Sequence, residues 1–186
     1  MLSLLLNPES RAPNDPTTGL PTEYVQQRLQ GLLGKLQRSR SKIVIPTPVV
    51  AEVLTLIGPT NGDYLSIVNR SKVFEVRPFD ELAAFELAFL NRDIFAALDK
   101  KSGAEPYQKV KVDRQILAIC KVARCDAFYT DDKGLIGRAK LCDIPIVRIS
   151  DLPIPDEARQ HELGLEEHEP LAPVQADDVS EIETDV

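Results

Sequence analysis

Short apolar runs of strand length alternate with longer stretches of helical spacing, and this alternation limits the chain to few architectures. Residues Lys42–Ile45, Lys72–Val76, Ala127–Thr130 and Ile144–Ile149 are rich in β-branched or aromatic side chains and read as strands. Before them, Thr22–Arg40 places Val25, Leu29, Leu32, Leu33 and Leu36 at helical spacing. Thr47-Pro48 opens another helix, a hydroxyl cap followed by proline at the first helical position, and Gly58-Pro59 stops it. Further helices are predicted around Asp63–Asn69 and over Asp80–Lys100, the latter burying Leu82, Phe85, Phe89 and Ala96. A loop over Lys101–Lys109 leads to helices Arg114–Arg124 and Lys133–Leu141. Parallel strands need crossover connections, so strands interleaved with helices predict an α/β fold whose parallel sheet is covered on both faces.

The chain has 186 residues, 43% of them hydrophobic, enough for one domain and a tail. No apolar run approaches the roughly 20 residues that span a bilayer, and no basic segment precedes a cleavable apolar stretch. The chain reads as soluble and cytoplasmic. Cys120, Cys125 and Cys142 are odd in number and fall in predicted helices, as reduced packing thiols would. His161 and His168 are the only histidines and both lie in a polar tail, leaving little material for a zinc site or a histidine-activated nucleophile. That tail, from Asp156 onward, holds eleven acidic residues against Arg159. It accounts for a balance of minus ten within the chain's net charge of -7, so residues 1–155 carry a net +3. A mildly basic domain, 1–155, followed by an acidic tail, 156–186, is compatible with a nucleic-acid substrate. The tail's composition predicts disorder.

Four acids stand where the chemistry of such a fold concentrates. Glu52 follows the strand ending at Ile45, Asp113 opens a predicted helix, and Asp131-Asp132 follow Ala127–Thr130. In an open α/β sheet the strand-to-helix turns meet along one rim, at the carboxyl ends of the strands. Carboxylates gathered there repel one another unless a divalent cation lies between them. Each acid also has a structural reading. Glu52 lies with Pro48 and Thr55 on the polar side of an otherwise apolar helix, a stripe facing either solvent or a cleft. Asp113 fits an N-cap, and either Asp131 or Asp132 fits a cap or Asx-turn. Two adjacent carboxylates exceed what one cap requires. Lys133, Arg138 and Thr130 stand nearby as candidate contacts to a phosphate backbone or a ligand.

The order of elements is more specific than any single residue. A strand followed by Thr-Pro-x-x-x-Glu (Thr47–Glu52) is succeeded by a long helix and Val-Asp-Arg-Gln-Ile-Leu-Ala-Ile-Cys (Val112–Cys120). Phe-Tyr-Thr-Asp-Asp-Lys-Gly-Leu (Phe128–Leu135) and Ile-Pro-Ile-Val-Arg-Ile (Ile144–Ile149) then complete the series. This arrangement resembles the PIN-domain nucleases over about residues 1–155, most specifically over Asp113–Ile149. The resemblance implies a three-layer α/β/α fold around a mainly parallel sheet. It further implies a site in which Glu52, Asp113, Asp131 and Asp132 hold Mg²⁺ or Mn²⁺. The implied activity is hydrolysis of single-stranded RNA to 5′-phosphate and 3′-hydroxyl ends. An antitoxin protein and a second copy of the chain are the implied protein partners. The alternative of a different class is a PIN-fold module that binds RNA or protein without catalysis. A response-regulator phosphoacceptor fits less well, because paired acids after a first strand are not found.

One part of the family pattern is missing. Members begin with an apolar strand ending in Asp, then a helix, and Met1–Pro8 resembles that helix alone. Asp15 and Glu23 lie beyond it with no strand to place them. The expectation is an internal start codon or a lost first strand. An in-frame apolar run ending in Asp upstream of Met1 would support the former; an immediate stop codon would refute it.

Overall fold

The chain divides into two compact units, Met1–Pro155 and Asp156–Val186. The computed structural model describes residues 1–7, 9–57, 68, 71–96, 106–156 and 158. Apart from Val68, the helix expected around Asp63–Asn69 lies outside them. So does the acidic tail beyond Asp156 and Ala158, including His161 and His168.

The first unit is mixed α/β. Helix α1 (Leu2–Leu6) and helix α2 (Val25–Ser39) precede strand β1 (Ile43–Pro46) and helix α3 (Thr47–Ile57). Strand β2 (Phe74–Arg77) leads into helix α4 (Glu81–Leu90), which continues as a π-helical turn over Asn91–Phe95. Helix α5 (Tyr107–Val122), strand β3 (Phe128–Tyr129), helix α6 (Lys133–Leu141) and strand β4 (Ile146–Val147) complete the described elements. None of these helices is long and apolar enough to cross a membrane.

The strands are parallel, as their interleaving with helices requires, but they pair as two small sheets. β1 pairs with β2, from Ile43 opposite Phe74 to Pro46 opposite Arg77. β3 pairs with β4, Phe128 opposite Ile146 and Tyr129 opposite Val147. The expected single sheet is therefore divided between β1 and β3 among the described residues.

Three apolar clusters hold these pieces. Leu90, Ile116, Leu117, Cys120, Phe128 and Ile144 join α4, α5 and the β3–β4 pair. Leu4, Leu29, Leu32, Ile149 and Leu152 tie α1 and α2 to the segment after β4. Ile45, Val53 and Val68 form the third beside β1 and α3. Arg28 reinforces the second, donating from Nη1 to the carbonyls of Ser150 and Leu152 and from Nε to that of Glu23. At Gly31 a β-carbon would stand 3.0 Å from Pro155 Cγ, so the absent side chain lets the end of this unit close on α2.

Several expectations are corrected. α4 turns its other face inward: Ala83 and Leu90 are buried, whereas Leu82, Phe85 and Phe89 are 63%, 58% and 50% exposed and Ala96 is exposed. The helix is apolar around its circumference, so periodicity offered no direction by which to choose. α5 begins at Tyr107, after Pro106, and absorbs the end of the expected loop. Its buried stripe Val110, Asp113, Arg114, Leu117 is spaced at three, four and seven residues. Cys120 lies inside a helix, but Cys142 caps α6 and Cys125 follows α5; all three thiols are free. Thr47, expected as the cap ahead of α3, is the first residue within that helix, and its hydroxyl accepts from the Phe79 N–H at 3.3 Å.

Leu117 is fully buried. Leu117→Ala is expected to lower unfolding free energy by about 2–5 kcal/mol in urea titrations, through lost transfer energy and a residual cavity. Leu82→Ala, on the exposed face, should stay within about 0.5 kcal/mol.

Candidate functional site

A cavity of about 620 Å³ opens along β1 and β3, and Glu52, Asp113, Asp131 and Asp132 all line it. Acids separated by up to 80 positions in the sequence thus reach one space. Each arrives differently.

Glu52 is exposed on the second turn of α3. This helix is less buried than its composition predicts: Val53 is in the core, but Ala51, Thr55 and Leu56 are exposed beside Glu52. Asp113 is not the helix cap expected of it. It lies inside α5, 3% exposed, and accepts from Arg138 Nη1 of α6 at 2.8 Å. Arg138 is itself 8% exposed, which corrects its reading as a rim contact to phosphate; Lys133 remains exposed. Burial makes an unpaired charge costly, so each of these two groups is the condition for the other. On the same stripe, Arg114 donates to Asn91 Oδ1 at 3.1 Å, reaching the start of the π-helical turn.

The roles of the adjacent acids separate. Asp132 is the N-cap of α6, accepting from the Leu135 N–H at 3.0 Å, and its other oxygen meets Lys109 Nζ at 2.9 Å. Burial pushes its carboxyl up, but Lys109 and the Leu135 and Gly134 N–H groups together hold it below the usual range. Asp131 accepts from the Ile149 N–H at 3.2 Å through Oδ1, while its buried Oδ2 has no hydrogen-bond partner among the described residues. Burial raises the Asp131 carboxyl, against the pull of the Ile149 N–H, the Met1 ammonium and Arg148. Met1 lines the same cavity, and burial lowers its ammonium against the attraction of Asp131. Thr130, 6% exposed, is engaged locally: its hydroxyl accepts from the Asp132 N–H at 3.1 Å. Asp15 is likewise local, accepting from the Thr17 N–H at 2.7 Å.

Sequence reasoning missed Lys109, which it placed in a loop. Once α5 is known to begin at Tyr107, Lys109 and Asp113 stand four residues apart on one helical face.

The donors suit a hard cation, being carboxylate oxygens throughout. Among the described residues, however, no three His, Cys, Asp or Glu side chains are grouped so as to hold a metal ion. Mg²⁺ needs fewer, since it keeps several waters and takes one or two carboxylates plus substrate phosphates. The buried Oδ2 of Asp131, without a hydrogen-bond partner among the described residues, would supply one such ligand. Asp132 or Asp113 would join it in exchange for a cationic side chain.

Two measurements follow from these charges. Arg138→Met removes the cation paired with the buried Asp113 carboxylate and should cost about 3–5 kcal/mol of unfolding free energy in urea titrations near neutral pH. For Asp131 the folded carboxyl lies above its unfolded value. Its favourable contribution is thus complete below the unfolded pKa and disappears as pH rises through the folded one. Asp131→Asn should therefore raise the denaturation midpoint at pH 7, with the gain shrinking towards pH 3.

The chain matches no protein-family model, no curated protein and no solved structure.

Proposed function

We propose that the chain is a PIN-like protein with a three-layer α/β/α plan, acting as a Mg²⁺- or Mn²⁺-dependent endoribonuclease on single-stranded RNA. The observation that carries this reading is the convergence of Glu52, Asp113, Asp131 and Asp132 on one cavity. Carboxylates from separate segments, one with an unpartnered buried oxygen, are costly to assemble and suit a site that receives positive charge. A cation bound there would lower the pKa of a water and neutralise charge on the scissile phosphate.

The protein's own groups have defined tasks under this reading. Asp131 presents its open oxygen, and the Ile149 N–H fixes the orientation of its carboxylate. Asp132 is anchored as the cap of α6, so its second oxygen is directed towards Lys109 rather than free to turn. Lys109 can exchange Asp132 for a phosphate oxygen, because the pair is only partly buried and costs little to open. Arg138 holds Asp113 within its stripe against solvent.

A second reading has its own support. Asp113 and Asp132 are both neutralised by side-chain cations, and no three acids among the described residues are grouped for a metal. That balance suits a non-catalytic module of the same fold, binding RNA or a protein such as an antitoxin.

Cleavage of a labelled single-stranded RNA by the full chain separates the two. The nuclease reading expects cleavage with Mg²⁺ or Mn²⁺, its loss in EDTA, and a fall of at least about a hundredfold in Asp131→Asn and Asp113→Asn proteins that remain folded. RNA binding without metal-dependent cleavage would establish the module instead.

A further inference from the structure

We infer that Cys120 and Cys125 form an oxidisable dithiol on the cavity wall, in which Cys125 reacts with hydrogen peroxide and Cys120 then closes a disulfide onto it. The way α5 ends brings the two side chains together. Ala123 is its C-cap, Arg124 follows in the left-handed region at φ 54°, and Cys125 comes next. The Arg124 N–H donates to Lys121 O at 3.0 Å, and the Cys125 N–H donates to Cys120 O at 3.0 Å. These are the paired bonds of a Schellman motif, a turn in which the side chains flanking the reversal come into contact. Here both flanking side chains are thiols, and they are hydrogen-bonded to one another.

The two thiols are not equivalent. Cys120 is 4% exposed, and its contact with Cys125 together with burial pushes its thiol up. Cys125 is only partly buried. The hydrogen bond from Cys120 holds its thiol below the ordinary value, with help from Arg77 and against burial, Asp126 and Glu75. The thiolate is the reactive form, so Cys125 attacks first. Both residues line the cavity of about 620 Å³, through which a molecule as small as hydrogen peroxide can reach them. Cys142 packs in the same apolar cluster but does not line the cavity, and burial pushes its thiol up. It serves as an internal reference.

The chemistry balances with peroxide as the oxidant. The Cys125 thiolate attacks one peroxide oxygen, the O–O bond breaks, and the departing hydroxide takes up the proton Cys125 released, forming water. Cys125 is left as a sulfenic acid. Cys120 Sγ then attacks Cys125 Sγ, the S–O bond breaks, and the second hydroxide leaves with the Cys120 proton as water. Two thiols lose two electrons, and one peroxide becomes two waters. The inference stands apart from the nuclease reading, because its test counts thiols rather than RNA cleavage.

The test exposes the reduced full chain to hydrogen peroxide, blocks the remaining thiols with a maleimide in urea, and digests with trypsin. Cleavage after Lys121 and Arg124 separates the two cysteines, so their disulfide joins the peptides Gln115–Lys121 and Cys125–Lys133. That linked pair should form while Cys142 still takes maleimide, and Cys125 should be oxidised at least about tenfold faster than Cys142. The preference should vanish when peroxide is added in urea. Cys120→Ala should halt the reaction at a Cys125 sulfenic acid that a 1,3-diketone traps, and Cys125→Ala should leave Cys120 a thiol. Equal rates at Cys125 and Cys142 in the native chain, or a bridge to Cys142 or to a second chain, overturns the dithiol. Loss of the Cys120 thiol in Cys125→Ala at the unmodified protein's rate overturns the order of attack. Should either variant fail to fold, the linked peptides and the rate ratio of the unmodified chain decide.

Discussion

The ion pair between Asp113 and Arg138, 2.8 Å long and almost wholly out of water, sets much of the geometry around the cavity. It couples α5 to α6 at the level where the apolar cluster of Ile116, Leu117 and Ala139 closes around it. Two charges so placed tolerate few alternative positions, because separating them gives up their mutual attraction where little water can replace it. The pair therefore fixes the register of one helix against the other. That register brings the cap of α6, Asp132, within reach of Lys109 one turn before Asp113.

Around this pair the acids differ in how fully they are compensated. Asp113 and Asp132 are matched by side-chain cations, whereas Asp131 keeps a buried oxygen without a hydrogen bond among the described residues. Native structures leave few such atoms, so this oxygen is the most distinctive feature of the cavity. Its carboxylate feels the Met1 ammonium, and both residues line the cavity together with β3. The division of the sheet and the open carboxylate are features of one opening.

Much of the element order was legible in the sequence. The helix Lys133–Leu141 follows from its cap and spacing, and β1 and β2 follow from β-branched runs bounded by turn residues. Parallel pairing followed from the helices between them. The site residues were legible as candidates because acids after short strands are few, and all four line one cavity. Asp113 was misread as a cap because Lys109-Val110-Lys111-Val112 alternates like a non-helical segment, whereas Val110 is buried on the same helical face as Leu117, two turns earlier. Tertiary contact there overrides local pattern. The inward face of α4 was illegible for the opposite reason, apolar residues on every side.

Alone, the sequence determined the order of most of the described helices and strands, that the strands run parallel, and which acids could share a space. These depend on side-chain period, capping chemistry and chain connectivity, all local quantities. Only the tertiary structure decided that Asp113 would be buried against Arg138, that Asp132 rather than Asp131 would cap α6, and that β1 and β3 would face a cavity instead of each other. Those outcomes depend on which charges can leave water together and which backbone edges find partners. Both are properties of groups distant in the chain.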